Sequence, residues 1–151
     1  MEAQFSNYFI DAWYTILESF SSRQIMSADI KPPQEALIDR DILVLMGLIG
    51  DINGQICMSM DADTGKSLAS EMLGGLEITD VDELVTSAVG EMCNMIMGNV
   101  CANISLINTN VDITPPTVLA GQKHPKLTMK PAYDIYFLLE GYEIINFQVT
   151  V

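Results

Sequence analysis

Apolar residues recur every three or four positions along two long segments of the chain, the spacing of an amphipathic helix. The first segment covers residues 4–20, and its stripe of aromatic and aliphatic side chains is typical of a core-facing helix. The second segment starts near Asp80 and runs to about Leu106. Asp80 and Glu83 have the spacing of a capping box, with Asp in place of Ser or Thr at the cap. We therefore predict two long helices.

A shorter helix is predicted between them, over residues 64–73. Asp61 or Asp63 can cap its first turn, because an Asp side chain accepts hydrogen bonds from the free N–H groups there. Gly74 and Gly75 stop this helix, since glycine readily adopts the left-handed conformation in which helices commonly end.

The other apolar runs have the length and alternation of strands. Residues 41–49 are almost continuously apolar, and Asn53-Gly54 predicts a tight hairpin turn into a return strand. Apolar and polar side chains alternate over residues 142–151, which predicts that one face of the sheet is buried and the other is exposed to solvent. The remaining predicted strands are 24–30, 55–60, 117–120, 126–130 and 133–140, with a turn at Gly141. We predict one α+β domain over residues 1–151, with long helices packed on a largely antiparallel sheet.

The chain is strongly acidic, with a formal net charge of −13. Nine Asp and Glu residues and a single base, Lys66, lie between Asp51 and Glu91, counting both ends. Such a surface repels nucleic-acid phosphates and anionic lipids, so neither nucleic acid nor a membrane is expected as a partner. A partner that offers a Lys or Arg is favoured, although acidity can also serve solubility alone.

The sequence predicts neither export nor insertion into a membrane. No basic stretch precedes the first apolar residues, unlike in a signal peptide. Polar residues such as Glu91 and Asn94 interrupt the apolar segment over residues 84–106, which therefore predicts a buried helix. Three cysteines without Cys-x-x-Cys spacing suit a reducing compartment, so we expect a cytoplasmic protein. No metal cluster is predicted, and the one histidine, His124, lies beside a proline in a predicted loop.

The second long helix has two unlike faces. At about 100° per residue, Ser87, Glu91, Asn94 and Gly98 fall within roughly 60° of one another, opposite an apolar face. Glycine costs a helix roughly 1 kcal/mol relative to alanine, so Gly90 and Gly98 suggest that something approaches this helix closely. That neighbour could be another protein, which would meet Glu91 and Asn94. It could instead be another part of this chain, with Glu91 and Asn94 solvated at the edge of an internal contact.

The spacing Ser87-x-x-x-Glu91-x-x-Asn94 resembles the [Asp/Ser]-x-x-x-Glu-x-x-Asn signature of the CheC/CheX/FliY phosphatases. A proline follows the Asn in that family, and here Pro116 follows Asn94 after 21 intervening residues, one fewer than usual. Only one copy of the motif is present in the 151 residues. CheC-type members are longer and typically carry two copies, so the chain resembles the CheX type.

Four further segments resemble the same family. Residues 47–56 are similar to its first hairpin, and residues 72–83 are similar to the segment between its helices. Residues 90–99 resemble the helix that carries its active residues, and residues 112–121 resemble the strand entry after that helix. With the N-terminal helix, the resemblance covers nearly the entire chain.

The resemblance implies a CheC-like α+β fold with pseudo-duplicated halves and a homodimer paired through its sheets. It also implies a phosphatase that removes the aspartyl phosphate of a response-regulator receiver. The substrate would be a CheY-like protein that supplies the Mg²⁺, so that the phosphatase needs no cofactor of its own. Asn94 would orient the attacking water, and Glu91 would dock against the active-site Lys of the receiver. The other residues expected to contact the receiver are Ser87, Gly90, Gly98 and Pro116.

Two other functions are compatible with the sequence. A non-catalytic module could bind receivers or a flagellar switch, although a pure scaffold would not require the carboxamide of Asn94. A small-molecule enzyme could use Glu91 as general base, but it would need a closed pocket and further polar residues that the sequence does not identify. Ser87 has no adjacent His or Lys base, so a nucleophilic serine is rejected.

Overall fold

The computed structural model describes residues 2–32, 36–121, 127–129, 131 and 133–151. Within them the chain forms helices α1 (Glu2–Phe20), α2 (Ala62–Met72) and α3 (Glu83–Ser105). The strands are β1 (Ile25–Lys31), β2 (Ala36–Ile38), β3 (Ile42–Gly50), β4 (Gly54–Met60), β5 (Val111–Ile113), β6 (Thr117–Ala120), β7 (Leu127–Met129), β8 (Tyr133–Leu139) and β9 (Glu143–Thr150). The predicted helices and long strands are confirmed to within two residues at most ends.

The main sheet is antiparallel throughout. Its strands follow the order β1-β8-β9-β4-β3-β5. Strand β6 joins the same sheet by pairing with the first half of β3, while β5 pairs with the last residues of β3. A separate two-stranded sheet is formed by β2 and β7. The predicted α+β class is therefore confirmed.

The topology divides the chain into two equivalent halves. One half runs α1-β1-β3-β4 and the other runs α3-β6-β8-β9. In each half, the strand after the helix pairs with the first strand of the other half's hairpin: β1 with β8, and β6 with β3. Strands β4 and β9 meet in the middle of the sheet. The pseudo-duplicated halves implied by the family resemblance are thus present.

Both long helices pack on one face of the main sheet. Trp13 of α1 lies against Phe137 of β8 and Phe147 of β9, with ring centroids 4.8 and 5.9 Å away. Aromatic pairs of this kind each stabilise a core by about 0.5–1.5 kcal/mol beyond the burial of their surface. The buried face of α3 is the apolar stripe that its spacing predicts, which includes Val85, Val89, Met92, Ile96 and Val100. None of the helices in the described ranges is both long enough and apolar enough to cross a membrane.

The opposite face of the sheet is less exposed than the alternation in β9 predicts. Gln148 was expected to be exposed to solvent, but its exposed fraction is only 3%. Strand β2 brings Ile38 to this side, where Ile38 and Gln148 line the same small cavity of about 190 Å³. Ile38 also packs with Leu43 and Cys57 in a second, smaller apolar cluster. A single strand could not reveal this covering, because it comes from a distant segment.

The caps of α2 and α3 differ from those predicted. Asp82, not Asp80, caps α3, and its carboxylate accepts hydrogen bonds from the N–H groups of Leu84 and Val85. Asp61 stands at the cap position of α2, but its side chain makes no capping bond there. The carboxylate of Asp61 instead accepts a hydrogen bond from Arg40.

The turn between β3 and β4 is also different from the predicted Asn-Gly turn. The positive φ angle lies at Gly50 (134°), and Gly54 already belongs to β4. A Cβ atom on Gly54 would lie 2.0 Å from the carbonyl oxygen of Thr150, so glycine is required there by the close approach of β9. The turn at Gly141 (φ 94°) is confirmed.

Some predictions fall partly or wholly on residues that the structure does not describe. The strand predicted over residues 126–130 is described only at Leu127–Met129, where it forms β7. His124 lies outside the described residues. The strands β2 and β5 are not among those predicted, because three residues are too few to establish a period of two.

Candidate active site

Helix α3 turns the two candidate residues away from the core. Burial of its apolar stripe fixes the rotation of the helix, so that Ser87, Glu91 and Gly98 are exposed and Asn94 is partly exposed. Glu91 and Asn94 are three residues apart, which corresponds to about 4.5 Å along the helix axis. Among the described residues, neither side chain has a hydrogen-bond or ion-pair partner. Both groups are therefore free to contact another molecule.

An open groove runs beside Glu91, between α3 and β6. Its volume is about 490 Å³. The groove is lined by Thr86, Ser87, Gly90, Glu91, Pro116, Val118 and Ala120. The fold thus brings Pro116 next to the helix that carries the motif, despite the shortened spacing along the chain. Three residues of this groove were not predicted as site residues, namely Thr86 and the apolar Val118 and Ala120 of β6.

The two glycines of the motif region have different surroundings. Gly90 is buried, and a Cβ atom there would lie 3.2 Å from a methyl group of Val118 and 3.7 Å from Pro116. The close neighbour of Gly90 is therefore β6 of the same chain, one of the two kinds of neighbour that the sequence leaves open. Gly98 is exposed, and its Cβ atom would meet nothing within 4 Å.

The surface at the start of α3 is negatively charged. Asp80, Asp82 and Glu83 are exposed there, two turns before Glu91. Every Lys and Arg in the described ranges is engaged by a neighbour: Arg23 by Glu71 and Glu143, Arg40 by Asp61, Lys66 by Asp63, and Lys31 by the ring of Tyr136. Within the described ranges Asp80, Asp82 and Glu83 form no ion pair, and their charge favours a cationic partner near Glu91.

The described residues provide no metal cluster and no reactive thiol. They contain no group of three or more His, Cys, Asp or Glu side chains that could hold a metal ion. Burial raises the pKa of Cys57 to about 12 and also raises the pKa of Cys93. Burial and the nearby Asp112 raise the pKa of Cys101. Because the thiolate is the reactive form, these cysteines are poor nucleophiles at neutral pH.

Comparison with known proteins places the chain in a family. The family model of the chemotaxis phosphatase CheX matches residues 42–138, more than half of the chain. The CheY-P phosphatase CheX of Thermotoga maritima is 30% identical over 122 residues, which cover 81% of this chain and 79% of that protein. The chain belongs to the CheX family. The stretch matched by the CheX family model contains α3 and β6, and so contains Glu91, Asn94 and the groove.

Solved structures of CheX and CheC-like proteins share the fold. A CheX from Desulfovibrio desulfuricans has a TM-score of 0.78 at 23% identity, covering 97% of this chain and 99% of that one. A CheC-like protein from Shewanella oneidensis has a TM-score of 0.80 at 21% identity, covering 99% of each chain. The CheX in a CheX–CheY–BeF₃–Mg²⁺ complex from Borrelia burgdorferi has a TM-score of 0.73 at 22% identity, covering 97% of this chain and 96% of that one.

Proposed function

We propose that this protein hydrolyses the aspartyl phosphate of a CheY-like receiver domain. The observation that carries the proposal is the pair formed by Glu91 and Asn94. These side chains lie one turn apart on the outer face of α3, and they have no hydrogen-bond or ion-pair partner within the described chain. A carboxylate and a carboxamide presented in this way can enter the active site of another protein.

Asn94 supplies the element that a receiver lacks. Hydrolysis of a phosphoryl group needs an in-line nucleophile and neutralisation of the developing charge. The receiver contributes Mg²⁺ and a Lys for neutralisation, so what remains is an oriented water. The carboxamide of Asn94 accepts a hydrogen bond through its oxygen and donates through its NH₂ group, and it can therefore hold a water in line with phosphorus. It is too weak a base to deprotonate that water.

Glu91 docks against the active-site Lys of the receiver. A charge-assisted contact of this kind fixes the position of both side chains. Because Asn94 follows one turn later on the same helix, the contact of Glu91 also sets where the carboxamide enters. The acidic surface at the start of α3 favours the same cationic partner. Ser87 and Pro116 line the groove beside Glu91 and would meet the receiver around this contact.

Two relatives support the choice of partner. The Thermotoga relative is a phosphatase of CheY-P, and the Borrelia relative forms a complex with CheY that contains BeF₃ and Mg²⁺. In the proposed reaction the Mg²⁺ comes with the CheY-like receiver, which the presence of Mg²⁺ in the Borrelia CheX–CheY complex supports. A cytoplasmic location and a homodimer are part of the same proposal.

The proposal is tested by phosphate release from a receiver that is phosphorylated with a small-molecule phosphodonor in Mg²⁺. Asn94→Ala is expected to lose the acceleration, on the order of 10²-fold if orientation contributes about 2–3 kcal/mol, while receiver binding largely survives. Glu91→Ala is expected to weaken both binding and turnover. Asn7→Ala and Glu18→Ala are matched controls, because these residues are exposed on α1 and lose the same groups.

The two control variants should bind the receiver and release phosphate as the wild-type protein does. If Asn94→Ala released phosphate as fast as the wild-type protein, the assignment of the water-orienting group would be wrong. If the wild-type protein bound the phosphorylated receiver without accelerating release, the chain would be a non-catalytic binding module.

A further inference from the structure

Gly98 is an exposed glycine in the middle of α3. Neither its backbone conformation nor its packing within the described chain requires glycine there. Its φ angle is not among the positive ones, so the backbone conformation does not require it. A Cβ atom built on it would meet nothing within 4 Å. Glycine disfavours a helix relative to alanine because it loses more backbone freedom on folding. The isolated chain would therefore fold better with alanine at this position.

The other two glycines in the described helices are explained by close contacts within the chain. A Cβ atom on Gly65 of α2 would lie 2.3 Å from Ile42, and one on Gly90 would lie 3.2 Å from Val118. Both positions are buried. Gly98 differs from them in that the space beside it is open.

We propose that Gly98, by lacking a side chain, leaves room for the receiver to approach α3 closely. This inference rests on the proposed function. Gly98 lies four residues after Asn94 on the same face of α3, about 6 Å further along the axis. The Asn side chain is short, so the backbone of α3 must come very close to the receiver for the carboxamide to reach the phosphoryl group. A methyl group at position 98 would hold the two surfaces apart.

The displacement matters because catalysis by orientation is sensitive to distance. A shift of about 1 Å in the position of a catalytic group can lower a rate on the order of 10²-fold. Gly98 thus acts on the reaction through Asn94, as a positioning residue. Gly90, in contrast, positions β6 and the groove from inside the molecule.

The test is Gly98→Ala, measured for both stability and turnover. The melting temperature of the isolated protein should rise by about 2–4 °C, as expected for a chain of this size when glycine is replaced in a helix. The kcat/KM for the phosphorylated receiver should fall at least about 10-fold. A residue with only a structural role would move both quantities in the same direction.

Thr15→Ala is the matched control. Thr15 is exposed in the interior of α1, where alanine favours the helix over threonine. This variant should gain stability and keep full turnover, which separates the loss of space beside α3 from any effect of a more stable fold. If the wild-type protein accelerated phosphate release and Gly98→Ala did so equally well, only the inference about Gly98 would be overturned. If the wild-type protein itself failed to accelerate release, the proposed function would fail and the role of Gly98 with it.

Discussion

Asp134 is a carboxylate that the fold places in the covered face of the sheet. It is 5% exposed, and its Oδ1 atom has no hydrogen-bond partner among the described residues. Burial raises the pKa of this carboxyl group, and hydrogen bonds from Gln148 and Tyr136 together with the charge of Lys31 offset the shift only in part. The charged form of Asp134 is thus less favourable in the folded protein than in the unfolded chain.

The raised pKa predicts how stability depends on pH. Because the folded state binds the proton more tightly, the contribution of Asp134 to stability is full below its unfolded pKa and is lost as pH rises through the folded value. Asp134→Asn removes the charge with little change in shape. At pH 7 this variant should be more stable and should melt at a higher temperature than the wild-type protein, and the difference should shrink towards pH 4.

Thermal melts of the two proteins between pH 4 and pH 8 measure this difference. Asp11→Asn provides the control, because Asp11 is exposed on α1 and undergoes the same chemical change. The interpretation of Asp134 would be wrong if the melting temperature of Asp134→Asn depended on pH in the same way as that of the wild-type protein and of Asp11→Asn.

At the scale of elements, the start of α3 depends on one carboxylate. Asp82 accepts hydrogen bonds from Leu84 N–H at 3.0 Å and from Val85 N–H at 3.3 Å. Removal of an N-cap side chain typically costs about 1 kcal/mol, so Asp82→Ala should lower the free energy of unfolding by roughly that amount. Asp80→Ala should change it by less than about 0.5 kcal/mol, as is usual for surface positions. Urea unfolding of both variants distinguishes the cap found in the structure from the one predicted.

The same helix illustrates what the sequence could and could not predict. The exposure of Glu91 follows from periodicity alone, because burial of the stripe through Val85 and Val89 determines which side of α3 faces out. The groove does not follow from periodicity, since it forms only where Val118 of β6 and the preceding Pro116 come against Gly90. Contacts between distant segments of this kind leave no periodic signal.

At the scale of the whole molecule, the two halves share a topology but only one carries the candidate pair. Helix α1 occupies the place in its half that α3 has in the other. On its exposed face Asn7, Asp11 and Tyr14 follow the spacing of Ser87, Glu91 and Asn94. A carboxylate is present there, but Tyr14 stands where a carboxamide would be needed. The molecule is thus expected to have one catalytic face and not two.

One edge of the main sheet is formed by β1, and the opposite edge is formed by β5 and β6. Strand β1 pairs with β8 on one side, and its other side has no partner in the described part of the chain. Ile30 is 48% exposed on this edge, between Asp29 and Lys31. Antiparallel pairing of two β1 strands about Ile30 would set Asp29 of one copy against Lys31 of the other, a favourable cross-strand pair. We therefore propose β1 as the edge through which two copies associate.

The oligomeric state in solution tests this arrangement. The wild-type protein should have the mass of a dimer in size-exclusion chromatography with light scattering. Ile30→Lys should shift it towards the monomer, because a lysine on an edge strand opposes pairing between sheets. Ile49→Lys is the matched control, since Ile49 is 55% exposed but lies on β3, away from this edge. A wild-type monomer, or a dimer that survives Ile30→Lys, would exclude β1 as the interface.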